Sequence, residues 1–331
     1  MNLHPLGSTN LLVTPIGLGL AALGRPGYIN LGHADDLQSN YDVTEMQAHA
    51  HRVLDAAYDA GVRYFDAARS YGRAEQFLGT WLEARQFSPG SVAVGSKWGY
   101  TYTAAWQVDA DVHEVKEHSL SVLRRQWGES QSHLGEYLDL YQVHSATIDS
   151  GILENREVHT ELARLKESGI LIGLSVSGPR QAEVLEHAMN VNVRGVRLFD
   201  CVQATWNLLE MSAGPALTSA WQAGMGVIVK EALANGRLTE RNKKPAFAGK
   251  LALLKREARR LGTTVDGFAL VGVLAQPWVD VVLSGAARED HLLSNLKALE
   301  VSWDDEAASH LQALVEPAGE YWRTRSDLEW N

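Results

Sequence analysis

Four polar side chains stand at or just past the ends of successive apolar runs: Asp66 after Val62–Phe65, Tyr71 five residues on, Lys97 after Val92–Ser96, and His144 after Leu138–Val143. Together they suit the reduction of a carbonyl by hydride. That reaction needs a proton on the nascent alkoxide, and a positioned tyrosine can deliver it. A lysine beside the tyrosine stabilises the phenolate and lowers a pKa that is ordinarily about 10. A neutral histidine N–H orients and polarises the carbonyl oxygen, and an aspartate pairs with the lysine. Taken singly, each residue has a plainer reading as an ion pair, a loop aromatic or a satisfied strand-end histidine. Their joint placement at the ends of consecutive strands is what argues for chemistry.

The elements that must hold them read as alternating strands and helices, the pattern of βα units around a parallel sheet. Candidate strands are Ile16–Leu20, Val62–Asp66, Val92–Lys97, Tyr137–His144, Leu171–Val176, Leu198–Gln203, Val227–Lys230 and Val279–Ser284. Between them the spacing predicts helices over Glu45–Ala60, Arg73–Ala84, Val112–Arg125, Asn155–Ser168, Arg180–Met189 and Asp290–Leu299. Such unbroken alternation implies an α/β fold, a closed (β/α)8 TIM barrel spanning residues 1–331 as one domain. A doubly wound open sheet would carry a glycine fingerprint after its first strand, and that is missing. The segment 6–15 (LGSTNLLVTP) reads as an N-terminal β-hairpin capping one barrel end. Gly24–Val43, Trp98–Asp111 and Leu233–Lys250 are too long for routine connections, and long loops after barrel strands are where such enzymes keep their sites. Tyr28, Trp98, Tyr100 and Trp106 in or beside these loops are candidate walls of a substrate pocket.

The motifs around the four residues closely resemble the aldo-keto reductases. YFDAARSYGRAE (64–75) is similar to that family's Asp/Tyr motif, GSKWG (95–99) to its lysine motif and DLYQVHS (139–145) to its histidine motif. The resemblance implies a catalytic set of Asp66, Tyr71, Lys97 and His144, with Tyr71 as general acid/base and NADP as cofactor, NAD being the alternative. It further implies cofactor contacts at Gly19, Leu20 and Asp66, at Ser175 in IGLSVSGP (172–179), and at Gln203 in DCVQATWN (200–207). In GVIVKEALANGRL (226–238) it carries over Lys230, Leu233, Gly236 and Arg237, and in VVLSGAAREDHLLSNLKAL (281–299) Gly285, Arg288, His291 and Asn295. Three positions depart from the family pattern: Val176 stands where an asparagine holds the carboxamide, and Lys230 and Glu231 take the first two places of a segment whose aromatic stacks on the nicotinamide. The helix starting near Glu289 offers backbone N–H groups to phosphate, and Arg288 is the expected reader of a 2′-phosphate.

Composition narrows the remaining classes. The 331 residues are 45% hydrophobic and 21% charged, with a formal net charge of -10, a globular composition whose field repels nucleic acid and anionic membranes. Cys201 is the single cysteine, so no intrachain disulfide forms, and with no leader-like start a cytoplasmic location is expected. No apolar run reaches the roughly 20 residues of a membrane span. His49 and His51, two apart on a helix, do not share a face, so no metal site is read there. The expected partner is a small carbonyl or alcohol, the chain being a monomer or homo-oligomer. Alternatives within reach are an aldose or pyridoxal-type dehydrogenase running oxidatively, and a cofactor-binding regulatory subunit on the same barrel. A metal-dependent barrel hydrolase would need more His and carboxylate groups at strand ends than His144 and Asp66.

Overall fold

A computed structural model describes residues 1–331. Eight parallel strands close into a barrel: β1 (Ile16–Gly19), β2 (Tyr64–Asp66), β3 (Ala93–Trp98), β4 (Leu140–Ala146), β5 (Leu171–Val176), β6 (Cys201–Thr205), β7 (Gly226–Lys230) and β8 (Val281–Ser284). Around them run α1 (Val43–Asp59), α2 (Ala74–Ala84), α3 (Leu120–Leu134), α4 (Arg156–Glu167), α5 (Gln181–Ala188), α6 (Gly214–Gln222), α7 (Ala248–Arg260), α8 (Val265–Leu274) and α9 (Glu289–Leu296). This is the (β/α)8 barrel. The largest apolar cluster fills the layer between strands and helices, with Phe65, Val94, Val143, Leu174 and Val229 on the strand side and Leu54, Phe77, Trp81, Leu123 and Leu162 on the helix side.

The hairpin His4–Pro5/Leu12–Val13 closes the barrel floor. Its Leu6 and Val13 are fully buried in one cluster with Tyr64, Ala93, Leu140, Cys201, Ile228 and Val281 from the strands. This apolar plug leaves the opposite end, where the strands' C-termini emerge, for polar groups. The register sets their heights: Asp66 lies level with Gly19 on β1 and Gly95 on β3, Lys97 with Gln142 on β4, and Gln203 with Ser175.

The helix expected over 112–125 is displaced. Residues 114–116 instead form a strand that pairs antiparallel with Tyr100–Tyr102, and α3 begins only at Leu120, where the Ser119 side chain accepts from the Val122 amide at 3.3 Å. The alternating Glu-Val-Lys favours a half-exposed strand, and Ser119 supplies the cap that starts the helix. Two strands begin three residues after the start of their apolar runs. Gly135–Tyr137 is a 3-10 turn, and Val196–Arg197 pairs in a side hairpin with Asn192–Val193 ahead of β6. The loop Gly24–Val43 contains one short helical turn, His33–Asp36. No helix is long and apolar enough to cross a membrane.

Candidate active site

Asp66 ends β2 deep in the barrel mouth. Its Oδ1 is paired with the Lys97 ammonium, and its Oδ2 accepts from Tyr64 Oη at 3.1 Å, Gln142 Nε2 at 3.3 Å and Gln203 Nε2 at 3.0 Å. Lys97 also donates to the Ala67 carbonyl at 2.9 Å. Every member of this network is buried, so the two charges compensate each other and neighbouring donors complete the Asp66 carboxylate.

Tyr71 sits above them on the turn after β2. Gly72 takes φ +61, and a Cβ there would overlap the Gly24 carbonyl and Arg25, so glycine lets the turn press against the loop after β1. The Tyr71 hydroxyl lies 3.5 Å from His144 Nε2, and the Lys97 ammonium 4.9 Å from the Tyr71 ring centroid. His144 Nδ1 lies 3.4 Å from Ser70 Oγ, and the Tyr100 ring meets the imidazole edge-on at 5.0 Å. The imidazole follows from an irregularity in β4: pairing with β5 shifts between Val143 and Ala146, and Ser145 adopts a left-handed φ of +52. The Ser175 hydroxyl accepts from the Ser145 amide at 2.8 Å and holds that peptide.

Burial, reinforced by the Asp66 carboxylate, pushes the Tyr71 phenol well above its ordinary value. The Lys97 ammonium, 4.9 Å from the ring with its own bonds directed at Asp66 and Ala67, does not reverse this rise. Burial, with Lys97, Lys230 and Arg25 adding, drives His144 well below the usual imidazole range, so it is neutral. The pair therefore presents a protonated phenol and a neutral imidazole to one point, an arrangement that can hydrogen-bond a carbonyl or alcohol oxygen.

A cleft of about 840 Å³ opens over this pair. Its walls include Tyr28, Gly19, Asp66, Gln203, Lys230, Leu233, Gly236, Gly285, His291 and Asn295 from the expected set. Other expected residues are placed elsewhere. Trp98 is fully buried against His118, centroids 5.7 Å apart, and Trp106 donates to the Tyr41 carbonyl at 2.6 Å while packing on Phe77, so neither tryptophan forms the pocket. Leu20 belongs to the apolar layer, and Arg237 is clamped on Glu316 at 2.7 and 2.8 Å. Arg288 turns to solvent and grips Asp290 at 2.9 and 3.0 Å instead of facing the cleft. Ser175 acts beneath the surface, through Ser145.

Tyr100, an expected wall aromatic, and Glu231 also line the cleft, whereas other wall residues carried no signal in the sequence: Arg25, Glu114, Arg241, Arg325 and Trp330. They arrive from distant segments, the last two from the C-terminal end. Lys230 is held by Thr205 Oγ1 at 2.9 Å and Ser177 Oγ at 3.2 Å, and burial lowers it to about 8. Glu231 accepts from Arg325 Nη2 at 2.5 Å. Burial alone would raise this carboxyl, but Arg325 and Lys230 outweigh it and bring it to about 2. At the far end of the cleft, α9 starts without a side-chain cap, and Arg241 pairs with Asp36 beside His291.

The sequence model of the Aldo/keto reductase family matches residues 15–316. The chain belongs to that family. An uncharacterized oxidoreductase of Bacillus subtilis is 26% identical over 90% of this chain and 91% of its own length. An aryl-alcohol dehydrogenase [NADP(+)] of Phanerodontia chrysosporium is 25% identical over 92% and 83%, and a pyridoxal 4-dehydrogenase of Microbacterium luteolum is 31% identical over 42% of each chain. Among solved structures, an aldo-keto reductase from Bacillus halodurans superposes with a TM-score of 0.73 over 96% of this chain and 97% of that one, at 23% identity. The last likeness concerns the fold; the family and its oxidoreductase relatives place the chain in carbonyl/alcohol oxidoreduction.

Proposed function

We propose that the chain reduces a small aldehyde or ketone with a nicotinamide cofactor, NADPH or NADH, using Tyr71 as the proton donor. The observation that carries this reading is the approach of the Tyr71 hydroxyl to His144 Nε2, 3.5 Å, over the buried Lys97–Asp66 pair. A carbonyl oxygen between those two groups accepts a hydrogen bond from each. As negative charge develops there, Tyr71 gives up its proton, and the adjacent Lys97 ammonium stabilises the phenolate left behind. His144, kept neutral by burial, orients the oxygen without competing as an acid.

The donor set along the cleft fits a dinucleotide. Backbone amides of the uncapped first turn of α9, with Arg241 and His291, offer anion contacts at one end. Gln203 and Lys230 offer polar contacts near Tyr71. When bound, the cofactor supplies the hydride; the chain binds it, orients the carbonyl and delivers the proton. Tyr71→Phe tests the reading. Loss of a positioned general acid costs about 10²–10⁴-fold in rate, so turnover of an aldehyde panel at saturating cofactor falls by at least that range's lower limit, with cofactor affinity retained. Near-wild-type turnover in this variant defeats the proposal.

A further inference from the structure

We infer that the substrate carries a carboxylate a few bonds from its carbonyl and that Arg25 holds it; this rests on the carbonyl lying between Tyr71 and His144, as proposed above. Arg25 is on the cleft wall, yet its side chain is only 2% exposed. Three rings fix the guanidinium, whose central carbon lies 5.0 Å from the Tyr28 centroid, 5.1 Å from Tyr71 and 4.8 Å from Trp330. Nη1 donates to the Ser70 carbonyl at 3.1 Å and to Glu114 at 3.3 Å. Nε is buried with no partner, and no hydrogen bond from Nη2 is formed within the chain. Idle donors on a buried cation are costly unless a ligand completes them. A guanidinium held rigidly by aromatic faces, with Nη2 unused, can present that donor to a carboxylate oxygen.

The surrounding charges favour the same ligand. Lys230 is a second, largely buried cation on this wall, hydrogen-bonded to two hydroxyl groups and 3.9 Å from Glu231. The neighbouring Glu231 is committed to Arg325. Glu114 is the one carboxylate contacting Arg25, and it reaches only Nη1. Because the ring beneath the guanidinium is the ring whose hydroxyl meets the carbonyl, a group on Arg25 sits close to the reacting carbon. Short oxo acids have that shape.

The test compares 2-oxobutanoate and 4-oxobutanoate with butan-2-one and butanal in steady-state reduction, and titrates tryptophan fluorescence with succinate and with succinamide. At least one oxo acid shows a KM about tenfold or more below its neutral counterpart, the factor one hydrogen bond to a charged group supplies. Succinate binds where succinamide does not. Arg25→Met abolishes both differences and Arg25→Lys retains part of them. Glu114→Gln, which removes the competing negative charge beside Arg25, tightens succinate. Should the methionine variant fail to fold, the lysine and glutamine variants decide. Equal binding of succinate and succinamide, or a selectivity unaltered by the Arg25 and Glu114 changes, overturns the inference. Arg25-dependent succinate binding without turnover of any carbonyl would retain the anion site and defeat the reductase reading; equal turnover of acids and neutral carbonyls would do the reverse.

Discussion

Asp66 and Lys97 are partners with unequal support. Asp66 keeps three other donors, Tyr64, Gln142 and Gln203, whereas Lys97 has only Asp66 and one carbonyl. Removing the carboxylate therefore strands a buried cation, and removing the cation leaves a carboxylate still hydrogen-bonded. Asp66→Asn is predicted to cost about 3–5 kcal/mol, the usual penalty for breaking a buried pair, and Lys97→Met distinctly less, both read from urea unfolding. Equal losses would show that the network does not shelter Asp66. At the other end of the cleft, the side chain facing inward is Arg241, with Arg288 occupied by Asp290. If a 2′-phosphate is read there, Arg241→Ala weakens NADPH by about ten- to a hundredfold and NADH little, while Arg288→Ala changes neither. Fluorescence titration with both cofactors checks this, and a loss confined to the Arg288 variant would restore the assignment made from sequence.

Among the elements, the floor hairpin is the most tightly fitted. A Cβ on Gly226 would collide with the Leu6 side chain, and one on Gly7, at φ +55, with the backbone of Met225 and Gly226. Gly226→Ala must displace Leu6 from the plug, so it is predicted to lower unfolding free energy by about 1–3 kcal/mol while leaving the cofactor Kd unchanged at the opposite end. An unaltered urea midpoint would mean that the plug relaxes freely. The barrel strands were legible because each is a short apolar run buried on both faces, and Asp66, Lys97 and His144 were legible because a polar residue ending such a run stands out. The hairpin 100–116 was not, since its strands are three residues long and mixed in polarity, and a mixed run of that length fits a helix face equally well. Trp98 misled for a related reason: it is the last residue of β3 and turns into the apolar layer, so adjacency to a loop did not place it in the pocket. Arg25 and Trp330, some 300 residues apart, meet only through the closed barrel and the return of the C-terminal residues, where Asn331 bonds to Tyr28 through both backbone groups. No local pattern encodes that meeting.

For the whole molecule, the buried histidines set how stability responds to acid. Burial lowers His33 and His118 to about 4 and His144 further still, while unfolded histidines titrate at 6.5. Between those values the unfolded chain binds more protons, so this contribution to stability is full above pH 6.5 and is lost as pH falls toward 4. Asp139 acts with the opposite sign. Burial raises it to about 6 even though it accepts from the Val94 amide at 2.8 Å, so near pH 5 the folded state holds a proton that the unfolded state releases. His51, His133 and His159 are lowered as well, and Glu210 and Asp280 are raised with Asp139, so the histidines outnumber the raised carboxyls and the unfolded chain holds the excess of protons near pH 5, where stability falls with pH. Urea midpoints measured from pH 7 to pH 5 should therefore fall, before most surface carboxylates begin to titrate. His118 donates through Nε2 to the His144 carbonyl at 2.9 Å, a bond that a glutamine amide can replace without an ionisable group. His118→Gln is accordingly predicted to flatten the slope by about one proton, or ~1.4 kcal/mol per pH unit. Stability that stays level from pH 7 to pH 5 in the wild type, or a slope unchanged in the His118 variant, would mean that these histidines open to solvent and take up their protons without unfolding the barrel.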